Sequence, residues 1–251
     1  MKIHFIRHAT MIIYYNNVKI LVDPVLSPKN TISAVINVPN KKDNPLKDLP
    51  VSMDSIVDCD AVFVTHTHRD HFDDAAIKFL PKNITLFCQP KDEVKIKKFG
   101  FTNVIPVKDN FEWRNIKINR TKGKHGHFIT ALKMAPVSGF VISAPSEPVV
   151  YLTGDTIWCS HTKKTIEKYH PEIIVSNCGE ARFARGKAIT MDAEDILSIC
   201  KKTPEAKVVA VHMDAWNHCR LSKEDLRNFK TKHSLNGQIF IPEEGECMSF
   251  I

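Results

Sequence analysis

The stretch Val64-Thr65-His66-Thr67-His68-Arg69-Asp70-His71 limits what this chain can be more than any other. It continues the apolar run Ala61-Val62-Phe63-Val64, which reads as a buried strand. Along extended backbone, residues two apart point to the same side, so His66 and His68 present both imidazoles in one direction. Asp70 and His71 then fall in a turn ahead of a helix beginning near Asp74. Imidazole and carboxylate are ordinary ligands for zinc and its first-row neighbours. A strand ending in His-x-His-x-Asp-His therefore suits two adjacent divalent ions, and two ions need more ligands than these four.

Further donors stand at the ends of later apolar runs. Val149-Val150-Tyr151-Leu152 leads through Thr153-Gly154 to Asp155, and Val208-Val209-Ala210-Val211 ends in His212. Between the opening motif and Asp155 lies Gly123-Lys124-His125-Gly126-His127, where flanking glycines let the backbone approach a crowded site. Taken singly, each is an ordinary residue of a capped loop. Their order along the chain gives them weight.

That order, His66-x-His68-x-Asp70-His71, then His125, Thr153-Gly154-Asp155-Thr156 and His212, resembles the metallo-β-lactamase-fold hydrolase superfamily. The resemblance runs from end to end. His8-Ala9-Thr10 and Ile20-Leu21-Val22-Asp23-Pro24 look like its opening strands, and Glu194-Asp195 fits a later helix. The closest branch looks like the one containing L-ascorbate-6-phosphate lactonase and metal-dependent hydrolases of unassigned substrate. The resemblance implies one α/β domain over residues 1–251, a four-layer αββα sandwich of two mixed sheets flanked by helices. It implies that His66, His68 and His125 bind a first metal, that Asp70, His71 and His212 bind a second, and that Asp155 bridges them. Asp70, Asp155 and His212 are then also the residues at the reaction centre. Asp23 resembles an outer aspartate that orients a ligand imidazole by accepting its free N–H. The expected ions are two divalent metals, zinc first, with manganese or iron as alternatives. Arg69 fills a variable slot of the motif. His127 and His218 have no firm counterpart in the family; each is open as a general acid or as a surface or core histidine.

The residue pattern supports the same layered fold. Alternating or continuous apolar runs predict strands at 3–5, 11–15, 18–22, 61–64, 85–88, 103–107, 117–120, 139–143, 149–152, 173–177, 208–211 and 238–241. Helical spacing predicts helices at 74–79, 92–99, 162–169, 192–202 and 222–233, with Asp192 placed to cap one of them. Residues 24–50 carry five prolines and little periodicity, which predicts a long irregular loop that either flaps over a site or is a mobile insertion.

Two divalent ions lower the pKa of a shared water and present hydroxide to a carbonyl or phosphorus. They outweigh Asp70, Asp155 and that hydroxide by one positive charge, which favours a small anionic ester, lactone or phosphodiester. Arg182, Arg185 and Lys187 could grip such an anion, or form a solvated loop. The net charge of +7 raises the alternative of a nuclease-type phosphodiesterase acting on RNA or DNA. The basic residues are dispersed and no basic arm is present, which argues against a nucleic-acid partner. A metal-binding protein without turnover is the remaining alternative. Seven scattered cysteines without a Cys-x-x-Cys pair suggest reduced thiols, and neither Cys178 nor Cys219 occupies a ligand position. The N-terminus lacks the apolar core of a secretion signal and no run approaches the ~18–20 apolar residues of a membrane helix. The expectation is a cytoplasmic enzyme with a small-molecule substrate and no membrane partner, with a homo-oligomer left open. Gly-x-Ser-x-Gly and P-loop motifs are absent.

Overall fold

The computed structural model describes residues 1–134 and 136–250. Two seven-stranded sheets face each other. The first contains β1 (Lys2–Arg7), β2 (Thr10–Tyr15), β3 (Val18–Val22), β4 (Ala61–Val64), β5 (Thr85–Cys88), β6 (Val104–Pro106) and β14 (Cys247–Ser249), in the order β14-β1-β2-β3-β4-β5-β6. The second contains β7 (Asn110–Trp113), β8 (Ile116–Lys122), β9 (Ser138–Ser143), β10 (Val150–Leu152), β11 (Ile173–Asn177), β12 (Lys207–Val211) and β13 (Ile239–Phe240), in the order β13-β12-β11-β10-β9-β8-β7.

Each sheet is antiparallel at one side and parallel at the other. Local chemistry explains where each mode begins. Asn16-Asn17 joins β2 to β3 and Arg114-Asn115 joins β7 to β8, with positive φ at all four residues (47°, 61°, 48° and 59°). A two-residue turn with both centres left-handed matches the strand twist and closes an antiparallel hairpin. Parallel neighbours need a crossover instead. Helices α1 (Met53–Val57), α2 (Asp74–Phe79), α3 (Glu93–Lys98), α5 (Ser160–Tyr169), α6 (Ala193–Lys202) and α7 (Lys223–Lys232) lie in these crossovers; α4 (Phe128–Lys133) is a short addition between the antiparallel β8 and β9.

Strand periodicity sorts the apolar side chains into layers. Ile3, Phe5, Ile13, Ile20 and Phe63 of the first sheet meet Ile118, Phe140, Ile142, Val175 and Val209 of the second in the central core. Ile12, Leu21, Val62 and Leu86 face the other way, toward Ile56, Ala76 and Ile96 on α1, α2 and α3. Ile174, Val208 and Ala210 likewise face Ile196 and Leu226 on α6 and α7. The result is the expected αββα sandwich.

The proline-containing segment 24–50 is tied down at both ends. Arg7, fully buried, donates to the carbonyls of Val25, Ser27 and Lys47 at 2.8–2.9 Å. Asp73, the N-cap of α2, also accepts from the Ser27 N–H at 2.7 Å. Along its middle, Asn217 accepts from the Val35 N–H and the Asn44 amide, both at 3.0 Å, and donates to the carbonyls of Val35 and Asn40. The segment is a strap pinned across the ends of the strands.

Candidate metal centre

The candidate site lies where β1, β3, β4, β10 and β12 end. His8, Asp23 and His212 each follow immediately on the last residue of a strand, and each has positive φ (61°, 41° and 72°). That conformation costs a non-glycine residue on the order of 1–3 kcal/mol and persists only where the surroundings impose it. Gly154, before Asp155, also has positive φ (60°), and a Cβ there would lie 2.5 Å from the Ser138 carbonyl oxygen. These left-handed residues turn the chain abruptly at the strand ends, where donor side chains from both sheets meet.

The side chains sort by distance into linked groups. Nε2 of His66 lies 2.9 Å from Nδ1 of His68, and His125 joins this pair in a set whose ligand atoms all lie within 4.8 Å of one another. Nε2 of His71 and Nε2 of His212 lie 3.3 Å apart. Both face Oδ1 of Asp155, at 3.2 and 3.3 Å, while Oδ2 of Asp155 lies 3.6 Å from Nε2 of His125. The Asp155 carboxylate thus reaches toward both groups. Oδ2 of Asp70 lies 3.7 Å from Nε2 of His212, 3.7 Å from Nε2 of His8 and 3.5 Å from Nε2 of His218.

Hydrogen bonds outside the cluster set the tautomers. Asp23 accepts from Nδ1 of His71 at 2.8 Å, leaving its Nε2 toward Asp155. The Ile189 carbonyl accepts from Nδ1 of His125 at 2.8 Å. Asp23 also takes the single hydroxyl proton of Thr65 at 2.8 Å. Thr65 can therefore only accept from Nδ1 of His66, 3.1 Å away, which leaves Nε2 of His66 as a bare lone pair. Sγ of Cys219 lies 3.6 Å from Nδ1 of His212. Three ligand imidazoles are thereby oriented with Nε2 inward, the arrangement in which a histidine binds a metal ion.

Burial sets the charge states. It holds His66 well below the usual imidazole range, helped by His71 and His68, and pushes His212 down to about 3 and His8 down to about 4. Burial also opposes charge on Asp155, but His212 and His71 more than offset it and hold the carboxyl well below its usual range. Asp70 is held low in the same way, against burial, by His8 and His71. His71 keeps a proton against burial because Asp155 and Asp23 flank it. Ring nitrogens 2.9–3.3 Å apart, beside the buried carboxylates of Asp70 and Asp155, form a donor set that fits divalent cations.

Beside the cluster is a pocket of about 390 Å³. His68, Asp70, His125 and His218 line its cluster side. The strap contributes Ile32, Val35 and Ile36, and Phe183, Ile189 and Trp216 complete a largely apolar wall. Arg69 also lines it, with a side chain 61% exposed and 3.7 Å from Asp74. The seven residues expected as ligands are brought together, and Asp23 lies behind them. The basic loop is placed differently: Arg182 pairs with Glu180 at 3.2 Å, Arg185 and Lys187 are exposed, and the loop turns Phe183 toward the pocket instead. His127 is not among the lining side chains, whereas His218 is, and it is buried. His8 was legible only as part of an opening strand. Its signal, a histidine directly after an alternating run, is too common to single out.

The profile of the beta-lactamase superfamily domain family matches residues 18–213. The chain is 42% identical to the UPF0173 protein YddR of Bacillus subtilis, over the whole of both chains. It superposes on a possible metal-dependent hydrolase of Veillonella parvula with a TM-score of 0.97 and 35% identity, covering 100% of this chain and 99% of the other. It superposes equally fully on an isothiocyanate hydrolase from Delia radicum gut bacteria, with a TM-score of 0.95, 34% identity and the same coverage. The chain belongs to the beta-lactamase superfamily domain family, as a metal-dependent hydrolase of the metallo-β-lactamase fold. Among the described residues no helix is long and apolar enough to cross a membrane.

Proposed function

We propose that this chain hydrolyses a small, largely apolar substrate with an electrophilic carbon, an isothiocyanate, at a dinuclear centre. His66, His68 and His125 would hold one ion, Asp70, His71 and His212 the other, and Asp155 would span both. Such ions supply Lewis acidity, which makes water a nucleophile near neutral pH. Zinc suits the donor set, as do manganese and iron. The observation that carries the substrate class is the pocket: its wall beside the cluster is built from Ile32, Val35, Ile36, Ile189 and Trp216. Apolar walls bind an alkyl or aryl group by removing it from water, at about 25 cal/mol per Å². The 34% identical isothiocyanate hydrolase supports the same reading.

The reaction balances simply. The oxygen of water adds to the central carbon of R–N=C=S and a proton passes to nitrogen. The carbon–nitrogen bond then breaks, the second proton also goes to nitrogen, and the products are R–NH2 and carbonyl sulfide. The strap forms part of the pocket wall, and Asp23 accepts from Nδ1 of His71. His218, beside Asp70 on the pocket wall, would hydrogen-bond the departing nitrogen.

The second reading is a small anionic ester, lactone or phosphodiester, including the lactonase-like chemistry of the resembling branch. Arg69 on the pocket wall favours it. A nuclease reading loses ground because the basic residues of 182–187 do not line the pocket. The remainder of the proposal is a single domain in the cytoplasm acting without a membrane partner. The test is turnover by the metal-loaded protein of benzyl isothiocyanate, a lactone phosphate and bis(p-nitrophenyl) phosphate. The proposal expects amine and carbonyl sulfide from the first, with kcat/KM at least tenfold above the other two. Turnover confined to the anionic substrates would overturn it in favour of the second reading.

A further inference from the structure

We propose that His8 is a further protein ligand of the divalent ion that Asp70, His71 and His212 would hold, an inference that rests on the metal-site reading above. His8 is fully buried, and neither ring nitrogen has a hydrogen-bond partner among the described residues. Orphaned buried polar atoms are rare and costly, on the order of 1–3 kcal/mol each. Nε2, which faces the cluster of donors, needs a reason.

Distances supply one. Nε2 of His8 lies 3.7 Å from Oδ2 of Asp70, the same spacing that separates that oxygen from Nε2 of His212. This is too long for a hydrogen bond. It is a natural spacing for atoms sharing one ion, since two ligands each ~2.0–2.1 Å from a zinc ion stand no more than about 4 Å apart. His8, Asp70, His71 and His212 offer one ligand atom each, and these four atoms all lie within 4.8 Å of one another.

The ring is also held in place. It packs on His212 with centroids 3.7 Å apart and stacks on Trp216 at 5.4 Å. The His212 N–H donates to the His8 carbonyl at 2.8 Å, which joins the two strand ends. His8 has positive φ, as His212 and Asp23 do. A spacer between His212 and Trp216 could be phenylalanine, which would bury no polar atom. The position of Nε2 therefore points to coordination.

The test compares wild type with His8→Phe, which keeps an aromatic ring against Trp216. Both are stripped with chelator and titrated with cobalt(II), reading ions bound per chain, affinity and the visible d–d spectrum. The proposal expects two ions in wild type. In the variant it expects one to be lost or bound more than ~100-fold more weakly, beyond the ~10–100-fold that loss of an outer partner costs, with an altered spectrum. Coincident thermal melts of the stripped proteins exclude misfolding. His8→Ala should recover the wild-type-like spectrum on adding free imidazole. Retention of both ions with an unchanged spectrum, or a weakening within ~100-fold without spectral change, overturns the His8 assignment alone. No uptake by wild type overturns the metal-site reading and this inference with it.

Discussion

Asp23 shows how much one residue outside the ligand set can govern. Its carboxylate accepts from the Thr65 N–H, the Thr65 hydroxyl and Nδ1 of His71. It therefore fixes the tautomer of His71 directly and that of His66 through Thr65. Asp23→Ala should lower metal affinity by roughly 10–100-fold, read by competition with a chromophoric chelator; unchanged affinity would reduce Asp23 to a turn residue. At this scale much was legible. Imidazoles and carboxylates at strand ends announce themselves because few other roles place them there. His8 was hidden because its identity as a donor depends on a left-handed backbone turn and on the approach of β12, neither of which periodicity encodes.

Among the elements, the helices were read best where a cap marks the start. Asp192 accepts from the Asp195 N–H at 2.9 Å, as its position predicts, and is worth about 1 kcal/mol. Strands β4, β5 and β11 fall on their predicted residues because buried apolar runs are bounded by polar ones. Strand β7 was missed: Asn110, Phe111 and Glu112 are exposed at a sheet edge, where no inward face imposes alternation. Helix α6 also carries a titration consequence. Asp195 accepts from the Trp158 N–H, and burial pushes its carboxyl up to about 6, above the ordinary value near 4. The folded state binds this proton more tightly than the unfolded state. Relative to Asp195→Asn, wild type should therefore match the variant's stability below pH ~4, lose ground as pH rises to about 6, and then hold a constant deficit. Chemical denaturation across that range checks it; a deficit that shrinks with rising pH would contradict the assignment.

The whole molecule places an apolar pocket beside a polar cluster, and here the sequence was least informative. The net charge of +7 raised a nucleic-acid partner, and the positive balance of two ions over Asp70, Asp155 and a hydroxide favoured a small anionic substrate, yet the lysines are spread and the pocket wall comes from segments 32–36, 183–189 and 216, far apart in sequence. A pocket built by tertiary convergence has no local pattern to read. The strap that roofs it was visible as a proline-containing irregular stretch, but its pinning by Arg7 and Asn217 was not. The central claim is that this convergence builds a site for two divalent ions. The most direct measurement is metal content per chain by plasma mass spectrometry, on protein purified without chelator or affinity metal. The account predicts close to two equivalents in wild type and a fall of at least one in Asp155→Ala, whose carboxylate faces both groups. Near-zero content in wild type, with no uptake of added zinc or manganese, would contradict it.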